Sequence, residues 1–406
     1  MDVILFSIPF FFALIGIEIV VERWQHRQLY RLNDSLTNLS CGITSQLFGV
    51  LTKSFTFAAY LVVYHYARLA TLPTTWYTLL LLFVAYDLCF YFAHRASHVV
   101  HLFWAGHVVH HQSEEYNLSV ALRQSAAEQV FTVPFYLPLA LLGFHPESML
   151  FVSAVNLVYQ FWVHTETIGK LGWLEFVLNT PSHHRVHHGR NPEYIDKNFA
   201  GMFIVWDRLF RTFEPEQAEV VYGVTTPVAS WNPVYAQTAH FFTLWHDLRR
   251  IPSFADKVRY LVRKPGWYPS GLGGVVTPPP VERATAKKYD VPLPLALNRY
   301  LLVQYILVLL ASAAALAVLP HVSYTVQGII ALIITVHLVV LGFMLEAKPA
   351  AVGWEFVRLV MLPFVASESL KFGGVSDPAL YWSGVLFATI WAVVSAGWLQ
   401  QQQQQP

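Results

Sequence analysis

Long apolar runs alternate with polar stretches along most of the chain. Runs long enough to cross a hydrocarbon core of about 30 Å lie at about 3–21, 46–66, 75–93, 297–319, 322–345 and 380–398. Two shorter runs, about 130–144 and 148–163, are separated only by the turn-forming residues FHPES, which predicts a helical hairpin. The pattern predicts an all-α integral membrane protein, a multi-pass helical bundle.

The distribution of arginine predicts the orientation of these helices. Arg23, Arg27 and Arg31 follow the first apolar run, and no basic segment or cleavage site precedes it, so we expect a retained first helix with a cytoplasmic carboxyl end. Counting crossings from there places the start of the histidine-rich region, at His94, on the cytoplasmic face. We therefore expect an active site on that face, of the endoplasmic reticulum in a eukaryote or of the inner membrane in a bacterium.

The same pattern divides the chain into regions. We expect N-terminal membrane helices over 1–75, a histidine-rich core over 76–215 and a cytosolic cap over 216–296. C-terminal membrane helices follow over 297–400, and the glutamine-rich tail over 401–406 is predicted to be disordered. The cap carries six basic residues between Arg249 and Lys264, which is typical of a flank that faces lipid headgroups.

Composition agrees with a membrane protein and excludes other classes. The chain is 55% hydrophobic and 13% charged, with a positive mean hydropathy. Its net charge of +1 provides no field that would attract nucleic acid. Cys41 and Cys89 lie in or beside apolar runs, so we interpret both as inert core residues.

Twelve of the eighteen histidines lie between His94 and His188, and most of them form three boxes. The boxes are His94-x-x-x-His98, His107-x-x-His110-His111 and His184-x-x-His187-His188. On a helix, positions i, i+3 and i+4 share one face, so each box directs its imidazoles at one point. Neutral imidazole suits iron, zinc and copper, and eight such ligands exceed what one ion accepts, so two metals are indicated.

Other polar residues are candidates to support this cluster. His164 follows the predicted hairpin, where it can reach the boxes, and His101 and His183 could bind metal or support its ligands. Asp87 lies seven residues before His94, on the same helical face, and is predicted to accept a hydrogen bond from a ligand N–H. Weaker candidates are Glu166, Glu114 and Glu115, which a solvated surface explains about as well.

The residues favour oxygen chemistry over hydrolysis. The chain contains neither H-E-x-x-H nor G-x-S-x-G, the patterns typical of zinc proteases and serine hydrolases. Two metals with nitrogen ligands at a membrane edge suggest activation of O2 and attack on an unactivated C–H bond of a lipid that enters from the bilayer.

The order of the boxes, followed by DKNFAG and WDRLFRTF, resembles the fatty acid hydroxylase and sterol desaturase superfamily of membrane di-iron enzymes. The resemblance covers about residues 76–215. It implies two Fe ions held by nine histidines: His94, His98, His107, His110, His111, His164, His184, His187 and His188.

Two segments, FWAGHVVHHQSEEYNLSVALRQS and NTPSHHRVHHGRNPEYIDKNFAGMFIVWDRLFRTFE, are similar to the members that cleave ether lipids. This similarity implies hydroxylation of the carbon beside the ether oxygen of an alkylglycerol, which releases a fatty aldehyde and a glycerol derivative. It also implies an external electron donor, tetrahydrobiopterin. Arg123 could then steer a lipid headgroup or the pterin, although a charge that flanks a helix explains it equally well.

Two other functions compete with this interpretation. One is hydroxylation or desaturation of a sterol, carotenoid or fatty acyl chain within the same superfamily. The other is metal transport. Transporters place ionisable residues near the middle of the bilayer in inverted repeats, whereas these boxes lie at helix ends.

Overall fold

The computed structural model describes residues 3–372 and 376–403. Its described residues form fifteen α-helices: α1 (Val3–Trp24), α2 (Leu32–Ala67), α3 (Trp76–Val99), α4 (His101–His111), α5 (Glu128–Thr132), α6 (Leu137–Leu142), α7 (Pro146–Trp162), α8 (Pro181–His187), α9 (Val205–Leu209), α10 (Pro233–Arg250), α11 (Phe254–Val262), α12 (Leu295–Val318), α13 (Tyr324–Leu345), α14 (Ala351–Phe372) and α15 (Pro378–Gln403). Short 3₁₀ helices occupy Val120–Leu122, Val133–Phe135, Gly172–Phe176, Ser270–Leu272 and Leu319–His321. Pairing between extended segments is limited, within the described ranges, to three isolated bridges. The predicted all-α class is confirmed.

Four helices are long and apolar enough to cross a membrane, which makes the chain an integral membrane protein. They span Trp76–Val99, Leu295–His321, Tyr324–Leu345 and Pro378–Gln402, and each overlaps a predicted crossing. Two helical segments, Leu32–Gly49 and Ser54–Ala67, meet at a bend of 48°, and together they provide a fifth span if the bent pair is treated as a single span. The first predicted crossing forms α1, which is not among these spans; the side chains of its first residues lie outside the described part of the chain.

Helix α2 begins fourteen residues before the apolar run that predicts it. Its first half carries polar side chains that are buried, among them Asp34, Thr37 and Asn38. Asn38 donates to Asp34 on the preceding turn and to Ser119 of another segment. Because this half of the helix is stabilised by buried hydrogen bonds, hydropathy alone does not detect it.

The two halves of the predicted hairpin form different structures. The run at 130–144 forms two short helices, α5 and α6, joined by a 3₁₀ turn, because Pro134 and Pro138 lie within it. The run at 148–163 forms the single helix α7. Gly143 separates them with φ 93°, and a Cβ there would lie 1.9 Å from the carbonyl oxygen of Ala70, so only glycine fits.

The chain forms two compact units. The first contains residues 1–229 and 234–289 and therefore holds most of the first three predicted regions; the second contains 230–233 and 290–406. In the glutamine-rich tail, residues 401–403 continue α15, and the remaining residues lie outside the described part.

Buried polar side chains join the helices of the second unit. Glu355 and Arg358 of α14 form an ion pair at 2.6 Å, and both are buried. Tyr300 of α12 donates to Glu355, and Gln304 of α12 accepts from Arg358 at 2.7 Å and donates to Ser395 of α15 at 2.9 Å. Such a paired network satisfies ionisable groups that would be costly in an apolar environment.

Candidate metal centre

The histidines reach one site from four segments of the first unit. His94 and His98 lie one turn apart at the end of α3. Val100, with extended backbone angles, then ends α3, and α4 packs against it with the second box. His164 lies two residues beyond α7. The third box lies on α8, a short helix that begins with Pro181 at its first position, where the missing N–H is not needed.

The nine histidines gather into two groups. His94, His98, His107, His111 and His187 form a five-histidine group, and His110, His164, His184 and His188 form a four-histidine group. Within each group the candidate ligand atoms lie within 4.8 Å of one another, and all nine side chains are buried. The groups adjoin, with the rings of His111 and His188 stacked at 4.3 Å between centroids.

The rings present the same nitrogen to the interior of the groups. In the five-histidine group, Nε2 of His107 lies 3.1 Å from Nε2 of both His94 and His111. In the four-histidine group, Nε2 of His164 lies 3.1 Å from that of His110 and 3.0 Å from that of His184.

The other nitrogen, Nδ1, of several rings faces a backbone carbonyl. The distances from Nδ1 to the carbonyl oxygen are as follows: 2.8 Å from His94 to Phe199, 2.9 Å from His110 to Arg123, 2.7 Å from His164 to Gln160 and 3.0 Å from His187 to Lys197. A carbonyl accepts only from N–H, so these contacts place the proton on Nδ1 and leave the Nε2 lone pair directed inward.

The donor set fits metal ions. The Nε2 atoms of His98, His187 and His188 are buried and have no hydrogen-bond partner among the described residues. Burial and the neighbouring His107 lower the pKa of His110 to about 4. Burial, followed by the adjacent imidazoles, lowers the pKa of His111, His164, His184, His187 and His188 well below the usual value. The rings are therefore neutral, as metal ligands must be, and cations would satisfy the unpartnered nitrogens.

Glu128 is a supporting residue that the sequence did not reveal. Its Oε1 lies 2.8 Å from Nδ1 of His107, so His107 donates to a carboxylate where the rings above donate to carbonyls. The contact joins α5 to α4, and the two residues are 21 positions apart along the chain. A carboxylate at this position fixes the orientation of the imidazole and directs its Nε2 toward the group.

Asp87 does not accept from a histidine as predicted. Its carboxylate accepts from the backbone N–H of Met202 at 2.8 Å and of Phe203 at 3.0 Å, and from the side chains of Asn156 and Trp206. These donors occupy both oxygens, because the 199–204 loop and the start of α9 cross this face of α3. Asp87 therefore positions the loop whose Phe199 carbonyl orients His94.

Three further carboxylates contact basic side chains and a backbone N–H, and not the histidines. They are Glu166, Glu114 and Glu115, and each of them contacts the segment 280–289. Glu166 binds Arg27 and Arg283, the latter through two hydrogen bonds of 2.7 and 3.1 Å. Burial alone would raise the pKa of Glu166, but the hydrogen bonds from Arg283 lower it below the usual value.

Glu115 binds Arg31 and Lys288, and Glu114 accepts from the backbone N–H of Tyr289 at 2.6 Å. These carboxylates thus fasten the 280–289 segment, here called the strap, over the loops that follow His111 and His164.

Arg123 is buried and its guanidinium is occupied within the protein. It donates to the carbonyl of Val109 at 2.7 Å, to Asn38 at 3.1 Å and to Gln112 at 2.7 Å. The side chain therefore fixes the end of α4, and it is not placed to steer a headgroup or a pterin.

His101 and His183 lie outside both groups. His101 pairs with His240 of α10, with Nε2 atoms 3.1 Å apart. His183 lines a cleft of about 200 Å³ together with Glu175 and Arg208. The structure therefore distinguishes these two histidines from the nine that converge.

Comparison with known proteins identifies relatives along most of the chain. The model of a family described as fatty acid hydroxylase matches residues 79–212, which include all nine histidines. The chain is 39% identical over 364 residues to alkylglycerol monooxygenase of Homo sapiens, an alignment that covers 87% of this chain and 80% of that protein. The alkylglycerol monooxygenases of Xenopus tropicalis and Danio rerio are 38% and 37% identical, over 88% and 87% of this chain and 80% of each protein. No solved structure gives a significant match.

Proposed function

Because the chain belongs to the fatty acid hydroxylase family, on its alkylglycerol monooxygenase branch, we propose that it oxidises alkylglycerols at the carbon beside the ether oxygen. The observation that carries this proposal is the convergence of nine buried imidazoles within a chain 39% identical to such an enzyme. The protein is an O2-dependent membrane monooxygenase of lipid metabolism.

The metal centre in this proposal holds two Fe ions, one in each histidine group. His94, His98, His107, His111 and His187 hold the first, and His110, His164, His184 and His188 hold the second. Bound iron supplies the activation of O2. The chain supplies the ligands in their neutral form, the acceptors that orient them, and a buried site from which water is excluded.

The reaction balances with an external two-electron donor. O2, two electrons and two protons convert the ether carbon to a hemiacetal and release one water. The hemiacetal then collapses to a fatty aldehyde and a glycerol derivative. An alkyl ether resists hydrolysis, so oxidation of the adjacent carbon is the accessible route to its cleavage. We assign tetrahydrobiopterin as the donor, and we place the site on the cytoplasmic face.

The decisive experiment supplies the purified, iron-loaded chain with an alkylglycerol under O2, with and without tetrahydrobiopterin. We expect fatty aldehyde only when the pterin is present. A hydroxylated or desaturated sterol or acyl product without aldehyde would favour the competing reactions of the family. Metal movement across sealed vesicles, without turnover, would favour a transporter.

A further inference from the structure

Helix α11 presents an apolar stripe away from the protein. Phe254, Val258 and Val262 are 80%, 45% and 57% exposed, and their spacing of four residues places them on one face. The opposite face is anchored, because Tyr260 is fully buried and packs with Leu244 and Ile251. The helix is thus firmly attached on one side and apolar on the other.

Basic residues flank the stripe along the sequence. Residues 247–264 contain six lysines and arginines against two acidic residues. Asp256 pairs with Arg259 at 2.9 Å, and Asp247 is occupied by the hydroxyls of Tyr260 and Tyr268. The segment therefore carries an excess of positive charge beside exposed apolar side chains, the combination that distinguishes helices lying in a membrane interface.

A backbone hydrogen bond fixes the depth of α11 relative to a membrane span. The N–H of His101 donates to the carbonyl of Arg263, the residue that immediately follows α11, at 2.9 Å. His101 lies two residues beyond the end of α3, whose 24 residues rise by about 36 Å and so reach the headgroup level. The end of α11 is held at the level where α3 leaves the hydrocarbon.

We propose that α11 is an interfacial helix that inserts Phe254, Val258 and Val262 into the leaflet at the end of α3, while its basic residues contact anionic headgroups. The occupant of the stripe is the lipid surface itself. This contact holds α4, which packs directly against α11, at the membrane surface. It does not depend on the proposed reaction, and its test requires no turnover.

The test uses the full chain, one copy per nanodisc, with Cys41 and Cys89 replaced by alanine. A fluorophore on Val258→Cys is compared with one on Glu193→Cys, an exposed charged position outside the stripe. In discs containing phosphatidylglycerol, we expect nitroxide-labelled lipids to quench the Val258 label and aqueous iodide not to reach it, with the reverse at Glu193. In phosphatidylcholine discs, or at 1 M salt, where the Debye length falls to about 3 Å, lipid quenching at Val258 should weaken.

Two charge variants separate the electrostatic contribution. Lys257→Gln with Arg263→Gln should make the quenching of Val258 by labelled lipid depend less on phosphatidylglycerol. Each charge removed should lower the ratio of helices inserted in the leaflet to helices free of it by about fivefold. Lys287→Gln, an exposed lysine outside this segment, should leave it unchanged.

The proposal is overturned if iodide quenches Val258 as strongly as Glu193 in every disc. Protection from iodide without quenching by lipid would also overturn it and would assign the stripe to protein contact. Hydrogen exchange of residues 254–262 in the unmodified chain provides a second measurement that needs no substitution. We expect slower exchange in phosphatidylglycerol than in phosphatidylcholine, and equal exchange would contradict the proposal.

Discussion

At the scale of single residues, the structure separates histidines that neighbour each other in sequence. His183 and His184 are adjacent, yet only His184 joins a histidine group. His187 belongs to the five-histidine group, with Nδ1 directed to the carbonyl of Lys197.

We expect His187→Ala to lose about one iron per chain together with its activity, because a ligand has been removed from the five-histidine group. His183→Gln should keep both irons. Metal analysis of the purified variants checks this, and equal iron contents in the two variants would contradict the assignment.

Glu128 carries a prediction of its own. Glu128→Gln retains the size of the side chain but removes the negative charge beside Nδ1 of His107, so we expect iron to bind the five-histidine group about 10–100-fold more weakly. Iron retention during titration with a chelator measures the change. Glu147→Gln, an exposed position at the start of α7, is the matched control and should behave as the unmodified chain.

At the scale of elements, we expect the ion pairs of Glu166 to hold the strap in place. Glu166→Gln should weaken the contacts to Arg27 and Arg283 and lower the free energy of unfolding by about 1–3 kcal/mol, because Glu166 is buried. Limited proteolysis should then cut the strap faster.

Glu219→Gln provides the control for the strap, since Glu219 also faces Arg283, at 3.6 Å, but is 72% exposed. Its effect should stay below about 0.5 kcal/mol. Equal proteolysis of the two variants would show that the ion pair of Glu166 does not hold the strap.

Helix spacing made the histidine boxes predictable, whereas contacts between distant segments were not. The intervals of three and four residues on α3, α4 and α8 predicted that the boxes converge, but not that the second and third boxes each divide their imidazoles between the two groups. The partners of Asp87 lie 69 to 119 positions away along the chain, and no local pattern records them. Glu128 was missed for the same reason, because a single carboxylate on a short apolar helix has no periodic signature.

At the scale of the whole molecule, the buried histidines make stability depend on pH. The folded-state pKa of His110 and of His240 is about 4, lowered chiefly by burial, while an unfolded histidine titrates near 6.5. Between these values the unfolded chain binds more protons than the folded chain, so stability falls as the pH falls from about 6.5 to about 4.

Thermal unfolding of the iron-free chain in detergent should therefore show a midpoint that is constant above about pH 7 and decreases below it. The loaded chain should release iron in the same range, because protons compete with metal for the imidazoles. A midpoint independent of pH down to pH 4 would contradict the burial of neutral rings.

The carbonyls that receive the Nδ1 protons belong to the main chain, and this has a consequence for how the protein tolerates sequence change. Replacing Lys197 or Gln160 alters a side chain but leaves the accepting oxygen where it was. The path of the backbone therefore determines the orientation of these rings. Substitution of the side chains at the accepting positions should disturb that orientation little. An insertion or deletion in the same segments would displace the acceptor itself, so these segments should vary in composition over evolution far more freely than in length.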